Sequence, residues 1–196
     1  MRTLYMATAF LGAVLAGSGP ASAQARFPVL SPDQMTPAQK VVADSVMRSR
    51  KNLAGPFNAW LRSPELADRL QKVGEYVRYH SALPPALNEM AILVTARQWR
   101  SQEEWDLHYP PALAAGLPAA LLADLAKDRR PRGMTADQAL VYDICLGLHR
   151  DKARIPDALF RAMVARFGEQ GMIDLVGLAG YYATVSMTLN VAAGPR

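Results

Sequence analysis

The chain is poor in the residues that build disulfides, metal sites and redox centres. Of its 196 residues one is cysteine, Cys145, and three are histidine, His80, His108 and His149. A lone cysteine excludes an internal disulfide framework, a paired-cysteine redox motif and a cysteine-ligated zinc. The three histidines follow no ligand spacing, so no metal is expected. Cys145 sits in the apolar run Val141-Tyr142-Asp143-Ile144-Cys145-Leu146, which suits a buried thiol rather than a reactive one. Beyond the N-terminus no apolar run is read as long enough to span a membrane. Charged residues make up 20% and hydrophobic residues 51%, too apolar a balance for disorder. The net charge of +5 is spread along the chain. No aromatic-basic platform accompanies it, so no nucleic-acid partner is expected.

What is present begins with a leader. Arg2, the apolar stretch from Leu4 to Ala16, the breakers Gly17 to Pro20 and the small-x-small triplet Ala21-Ser22-Ala23 read as a secretory signal peptide, residues 1–23. The alternative is an uncleaved anchor. Cleavage would start the mature chain at Gln24 in the periplasm or outside the cell, with no stable membrane insertion afterwards. A helical extension, 24–54, then precedes a domain over 55–196.

The mature chain reads as all-α. Thr36-Pro37-Ala38-Gln39 is a capping box, opening a helix to about Lys51. Ser63-Pro64-Glu65 opens the next, with Leu66, Leu70, Val73 and Val77 as its expected buried face. A third runs from about Pro85 to Arg100. After a break near Ser101 a fourth covers Gln102 to Ala115, with Gly116 as its left-handed cap. Pro118 opens a short helix to Lys127, and Thr135-Ala136-Asp137-Gln138 caps one reaching Lys152. Pro156 starts a helix ending at Phe167-Gly168. The last spans about Glu169 to Asn190, and its Gly171, Gly177, Ala179 and Gly180 suit close helix packing within or between subunits.

Chemistry concentrates in Ser101-Gln102-Glu103-Glu104-Trp105-Asp106-Leu107-His108. Glu104 and His108 are four apart and share a helix face. A carboxylate beside an imidazole orients it, raises its basicity and lets the pair move a proton. Ser101 and Trp105 fall on or beside that face, where an indole would shield the pair. Spacing alone favours the plainer reading, an exposed Glu–His pair beside a core tryptophan. Glu89 is a charge within the apolar segment Leu87-Asn88-Glu89-Met90-Ala91-Ile92-Leu93; it is paired, hydrated or functional there, or else an acid favoured by the helix dipole near the first turn. Arg97 and Arg100 offer guanidinium forks to a carboxylate, although solvated arginines are the commoner case. Tyr181 and Tyr182 suit either a pocket wall or the core.

These segments resemble the carboxymuconolactone decarboxylase-like family, in the superfamily that includes alkylhydroperoxidase D. The resemblance covers about residues 55–191. It rests on Leu61-Arg62-Ser63-Pro64, Asn88 to Leu93, Glu104 to His108, Ala114-Ala115-Gly116-Leu117, Phe167 to Gly171, and Gly180-Tyr181-Tyr182 through Asn190. The alkylhydroperoxidase pattern, Glu-x11-Cys-x2-Cys-x3-His, lays its glutamate on Glu89 and its histidine on His108. Its two cysteines fall on Ser101 and Glu104, so the dithiol that reduces peroxide has no counterpart. The resemblance implies a compact helical fold, assembly as a trimer or hexamer, and a cofactor-independent decarboxylase or proton-transfer enzyme acting on a small organic acid or lactone. It implies His108 as general acid/base, Glu89 or Glu104 as its partner, and Trp105, Ser101, Arg97 and Tyr181 around the substrate. The alternative is a small-molecule-binding protein without catalysis. An exported location fits poorly with carboxymuconolactone itself, whose breakdown is cytoplasmic.

Overall fold

The computed structural model describes residues 26–150 and 154–194; the expected leader, 1–23, lies outside them. The described residues form helices and no strand. Both capping boxes form. The Gln39 amide donates to Thr36 Oγ1 at 3.3 Å while Thr36 N–H donates to Gln39 Oε1 at 2.8 Å, starting α1 (Pro37–Arg50). Thr135 and Gln138 repeat the pair at 3.2 and 2.9 Å before α7 (Ala136–Arg150). Each reciprocal pair satisfies two backbone donors that a helix start leaves open. Arg150 is the last described residue of α7, so the expected end at Lys152 falls outside.

A short helix, α2 (Phe57–Trp60), leads into α3 (Pro64–Tyr79). The face that α3 buries matches the expected one in part: Val77 is buried and Leu70 packs half-buried on the core. Leu66 and Val73 are 50% and 45% exposed, while Ala67, Gln71, Gly74 and Val77 face inward. Close approach decides this: a Cβ on Gly74 would lie 2.2 Å from the Tyr181 hydroxyl. The small face admits an aromatic ring that the leucine-valine face would exclude.

The central helix is α4 (Pro85–Gln98), buried continuously from Leu87 to Ala96 and packed against α5, α7 and α8. Full burial of Met90, Ile92 and Leu93 contributes roughly 1.5–3 kcal/mol each relative to exposure. The chain turns at Arg100 (φ 51°), and α5 (Gln102–Ala114) folds back on α4, ending at Gly116 with φ 94°. Next come α6 (Ala119–Ala126) and, after α7, α8 (Asp157–Ala192).

The sequence divides the last segment into two helices at Gly168. The structure breaks at that residue as expected: Gly168 takes the non-helical φ 72° and ψ 173°, so α8 is two helical stretches meeting at a kink. By length and composition α8 is long and apolar enough to cross a membrane, with a most apolar window of mean hydropathy 1.3. This corrects the sequence reading that no such run exists. Of that window 61% is buried inside the protein, against α3, α4 and α7, as a core helix requires.

The N-terminal stretch packs on the rest. Arg26 N–H donates to the Ala192 carbonyl at 3.1 Å, and Asn58 Oδ1 accepts from Leu30 N–H at 3.0 Å. Across the α1–α3 contact, Gln71 Nε2 donates to Ser45 Oγ at 3.3 Å. That contact places the last turn of α1 beside the site.

Candidate functional site

The α4–α5 hairpin carries the buried acid–base groups. Glu89 lies on α4, and Glu104 and His108 lie one turn apart on α5. Their exposures are 7%, 2% and 5%. His108 Nδ1 is 2.7 Å from Glu89 Oε2, and Nε2 is 3.0 Å from Glu104 Oε1. The question of which glutamate partners the histidine resolves as both, one on each ring nitrogen. The exposed-pair reading does not describe this site.

A neutral imidazole has one N–H and can satisfy only one carboxylate. The imidazolium satisfies both. Burial alone would push His108 down, but its contacts with Glu104 and Glu89 outweigh that and hold its pKa above the ordinary value. The histidine thereby holds its proton to higher pH than a free imidazole does.

Behind the histidine, Arg78 at the end of α3 places Nη2 3.4 Å from Glu89 Oε1. The α3–α4 loop is held for this purpose. Asp174 on α8 accepts from Ala82 N–H at 2.8 Å, and Asn88 Nδ2 donates to Ser81 Oγ at 2.9 Å and to the Arg78 carbonyl at 3.4 Å. The end of α3 and the start of α4 are therefore fixed to each other.

His108 and Glu104 line a cavity of about 260 Å³, and Glu89 does not. Glu89 meets the site through His108 and Arg78, while the other two border the cavity. Tyr181 and Tyr182 of α8 form another wall. Tyr182 meets the His108 ring edge-on at 5.1 Å, Tyr181 meets Tyr182 at 5.0 Å, and Trp60 meets Tyr181 at 6.0 Å. Burial pushes the Tyr181 hydroxyl up to about 12 and Tyr182 well above its ordinary value, so both stay neutral and can donate a hydrogen bond.

Three expected substrate contacts lie elsewhere. Arg97, Ser101 and Trp105 line a separate cavity of about 400 Å³, together with Arg100 and Asp128. Helix geometry gives the reason. Trp105 follows Glu104 by about 100° of rotation, and Arg97 sits about 80° around from Glu89 after two full turns. Trp105 packs on Tyr109 at 6.2 Å instead of shielding the pair. Ser101 is buried with its hydroxyl unpartnered among the described residues, at the start of α5 about two turns before His108. Tyr181 alone of the four reaches the acid–base cavity.

Two residues absent from the sequence reading do line it, Arg50 and Arg78. Each ends a helix, where a cation is favourable for the dipole alone, so nothing local in the sequence marks them out. Cys145, the sole thiol, is buried between Thr95 Oγ1 and the Ala91 carbonyl at 3.5 Å each. Burial pushes it up to about 12, which leaves no thiolate near neutral pH.

Compared with known protein families and with curated proteins, the chain matches none. The geometry and chemistry of the site carry the functional reading.

Proposed function

We propose that the protein is a cofactor-independent proton-transfer enzyme of the carboxymuconolactone decarboxylase type, acting on a small organic acid or lactone. The observation that supports this is the buried Glu89–His108–Glu104 relay opening on a cavity through His108 and Glu104. For a decarboxylation, the bond to the departing carboxylate breaks and its electron pair delocalises into the adjacent unsaturated system. His108, as imidazolium, delivers the proton to carbon, and CO2 leaves. Glu104 returns a proton from solvent to Nε2, and Glu89 holds Nδ1 throughout. The neutral Tyr182 and Tyr181 hydroxyls supply dipoles for the charge that develops. In an isomerisation CO2 is not lost: the Glu104 carboxylate takes a proton from one carbon, the electron pair shifts the double bond, and the His108 imidazolium delivers its own proton to another carbon, after which both groups exchange back with solvent.

Peroxide reduction is disfavoured by the same residues. Ser101 and Glu104 stand where that chemistry needs thiols, and Cys145 is buried. Assembly as a trimer or hexamer is part of the proposal. It is supported by apolar side chains left exposed on α3 and α8, among them Leu66, Val73, Ile173 and Val176. Export directed by residues 1–23 is also proposed, and N-terminal sequencing of the mature protein tests it.

The test is CO2 release by purified protein on small carboxy-lactones and unsaturated acids, with His108→Ala alongside. Turnover lost in the variant supports the proposal. Ligand-induced stabilisation without turnover supports the non-catalytic alternative.

A further inference from the structure

Arg50 is a half-buried cation with two buried donors unmet. Its Nε and Nη2 are shut off from water and have no hydrogen-bond partner among the described residues. Its guanidinium stacks over the Phe57 ring at 4.9 Å and borders the cavity that holds His108 and Glu104. Arg78, on the same cavity, meets Glu89 through Nη2 but has an unpartnered, buried Nε. Buried donors without acceptors are costly, most of all on a charged group. Two such groups on one cavity wall mark a place built for an anion.

Charge accounting points the same way. The two carboxylates of Glu89 and Glu104 are balanced by the His108 imidazolium and Arg78. Arg50 is then left with a positive charge that no described carboxylate meets at ion-pair distance. One negative charge, brought in from outside, completes the site. A guanidinium fork matches a carboxylate, and the cavity volume of about 260 Å³ limits the ligand to a small molecule.

We propose that Arg50, assisted by Arg78, is the binding site for a substrate carboxylate that is retained through the reaction. Its Nε and Nη2 are covered, so bringing them onto the carboxylate involves a turn of the guanidinium towards the cavity. The retained group is the one assigned because an ion pair on a departing carboxylate would stabilise the ground state and oppose loss of CO2. The substrate class is therefore a small acid that keeps one ionised carboxylate: a dicarboxylate if it is decarboxylated, or a monocarboxylate if it is isomerised. It follows that α1, in the N-terminal extension, supplies part of the site. This inference rests on the proton-transfer reading for its account of turnover, but the anion site itself does not.

The test measures binding of 2-furoate and of its uncharged analogue 2-furamide, by calorimetry and by the His108 proton resonances. Expected is 2-furoate binding at least about tenfold tighter than 2-furamide, a preference removed by Arg50→Gln, weakened by Arg78→Gln and partly kept by Arg50→Lys. In turnover Arg50→Gln raises KM far more than it lowers kcat. Equal binding of acid and amide, wild-type affinity for 2-furoate in Arg50→Gln, or 2-furoate leaving the His108 resonances unmoved would each overturn the proposal. Carboxylate binding through Arg50 with no turnover of any acid keeps the anion site and removes the enzyme reading. Turnover with KM unchanged by Arg50→Gln keeps the enzyme and removes the anion site.

Discussion

His108 Nδ1 lies 2.7 Å from Glu89 Oε2 across nineteen residues of sequence and the turn between two helices. Its other nitrogen faces Glu104, so the ring is held between two acids and is most stable when charged. In proton NMR, His108 should titrate above 6.5 and His149, which burial lowers, below it. His108 titrating below 6.5 would contradict the relay.

The same shift predicts a direction for stability. A histidine raised in the folded state contributes stability that is fully present below its unfolded pKa of about 6.5. That contribution is lost as pH rises through the folded value. The difference in unfolding free energy between wild type and His108→Gln should therefore be largest in acid and shrink above about pH 6.5. Taking the difference cancels His149, whose lowered pKa works in the opposite sense. Denaturant unfolding across that range checks it, and a gap that widens with pH would contradict it.

In the proposed reaction Glu89 acts only through His108. Glu89→Gln keeps an acceptor for Nδ1 but removes the charge. It should lower kcat by about 10- to 100-fold with little change in KM, and move the His108 limb of the pH profile to lower pH. A change confined to KM would place Glu89 in substrate binding instead.

Cys145 should not react with a thiol reagent in the native protein and should react fully once unfolded, because its thiol is buried and pushed up to about 12. Cys145→Ser should leave turnover unchanged. Thiol-dependent peroxide consumption lost in that variant would revive the peroxidase alternative.

Two glycines give opposite stability predictions. At Gly74 a methyl group would lie 2.2 Å from Tyr181 Oη and 2.3 Å from Cζ, and that ring is wedged between Trp60 and Tyr182. Gly74→Ala should cost about 1–3 kcal/mol or more. At Gly180 the methyl meets nothing within 4 Å, so Gly180→Ala should gain up to about 1 kcal/mol of helix propensity. Thermal melts separate the two.

Local signals were the legible part of the sequence. Thr36 with Gln39, Thr135 with Gln138, and Gly116 act within four residues of themselves, and each marks its helix end as expected. The spacing of Glu104 and His108 puts them on one face, Glu89 stands out as a charge within an apolar segment, and the resemblance joins it to His108. Periodicity does not say which face meets which neighbour, so Leu66 and Val73 were expected inside and lie outside. It also does not show which side of α5 meets α8, which is why Trp105 was expected over the histidine and is turned away. Arg50 reaches the cavity only because α1 packs on α3, a relationship between distant segments that no short motif records.

The most direct measurement is deuterium uptake from D2O into carbon during turnover of a small unsaturated acid, followed by mass spectrometry in wild type and His108→Ala. The account predicts one solvent-derived deuteron per product molecule in wild type and loss of both product and label in the variant. Product formed by His108→Ala at the wild-type rate, or product carrying no solvent deuterium, would contradict it.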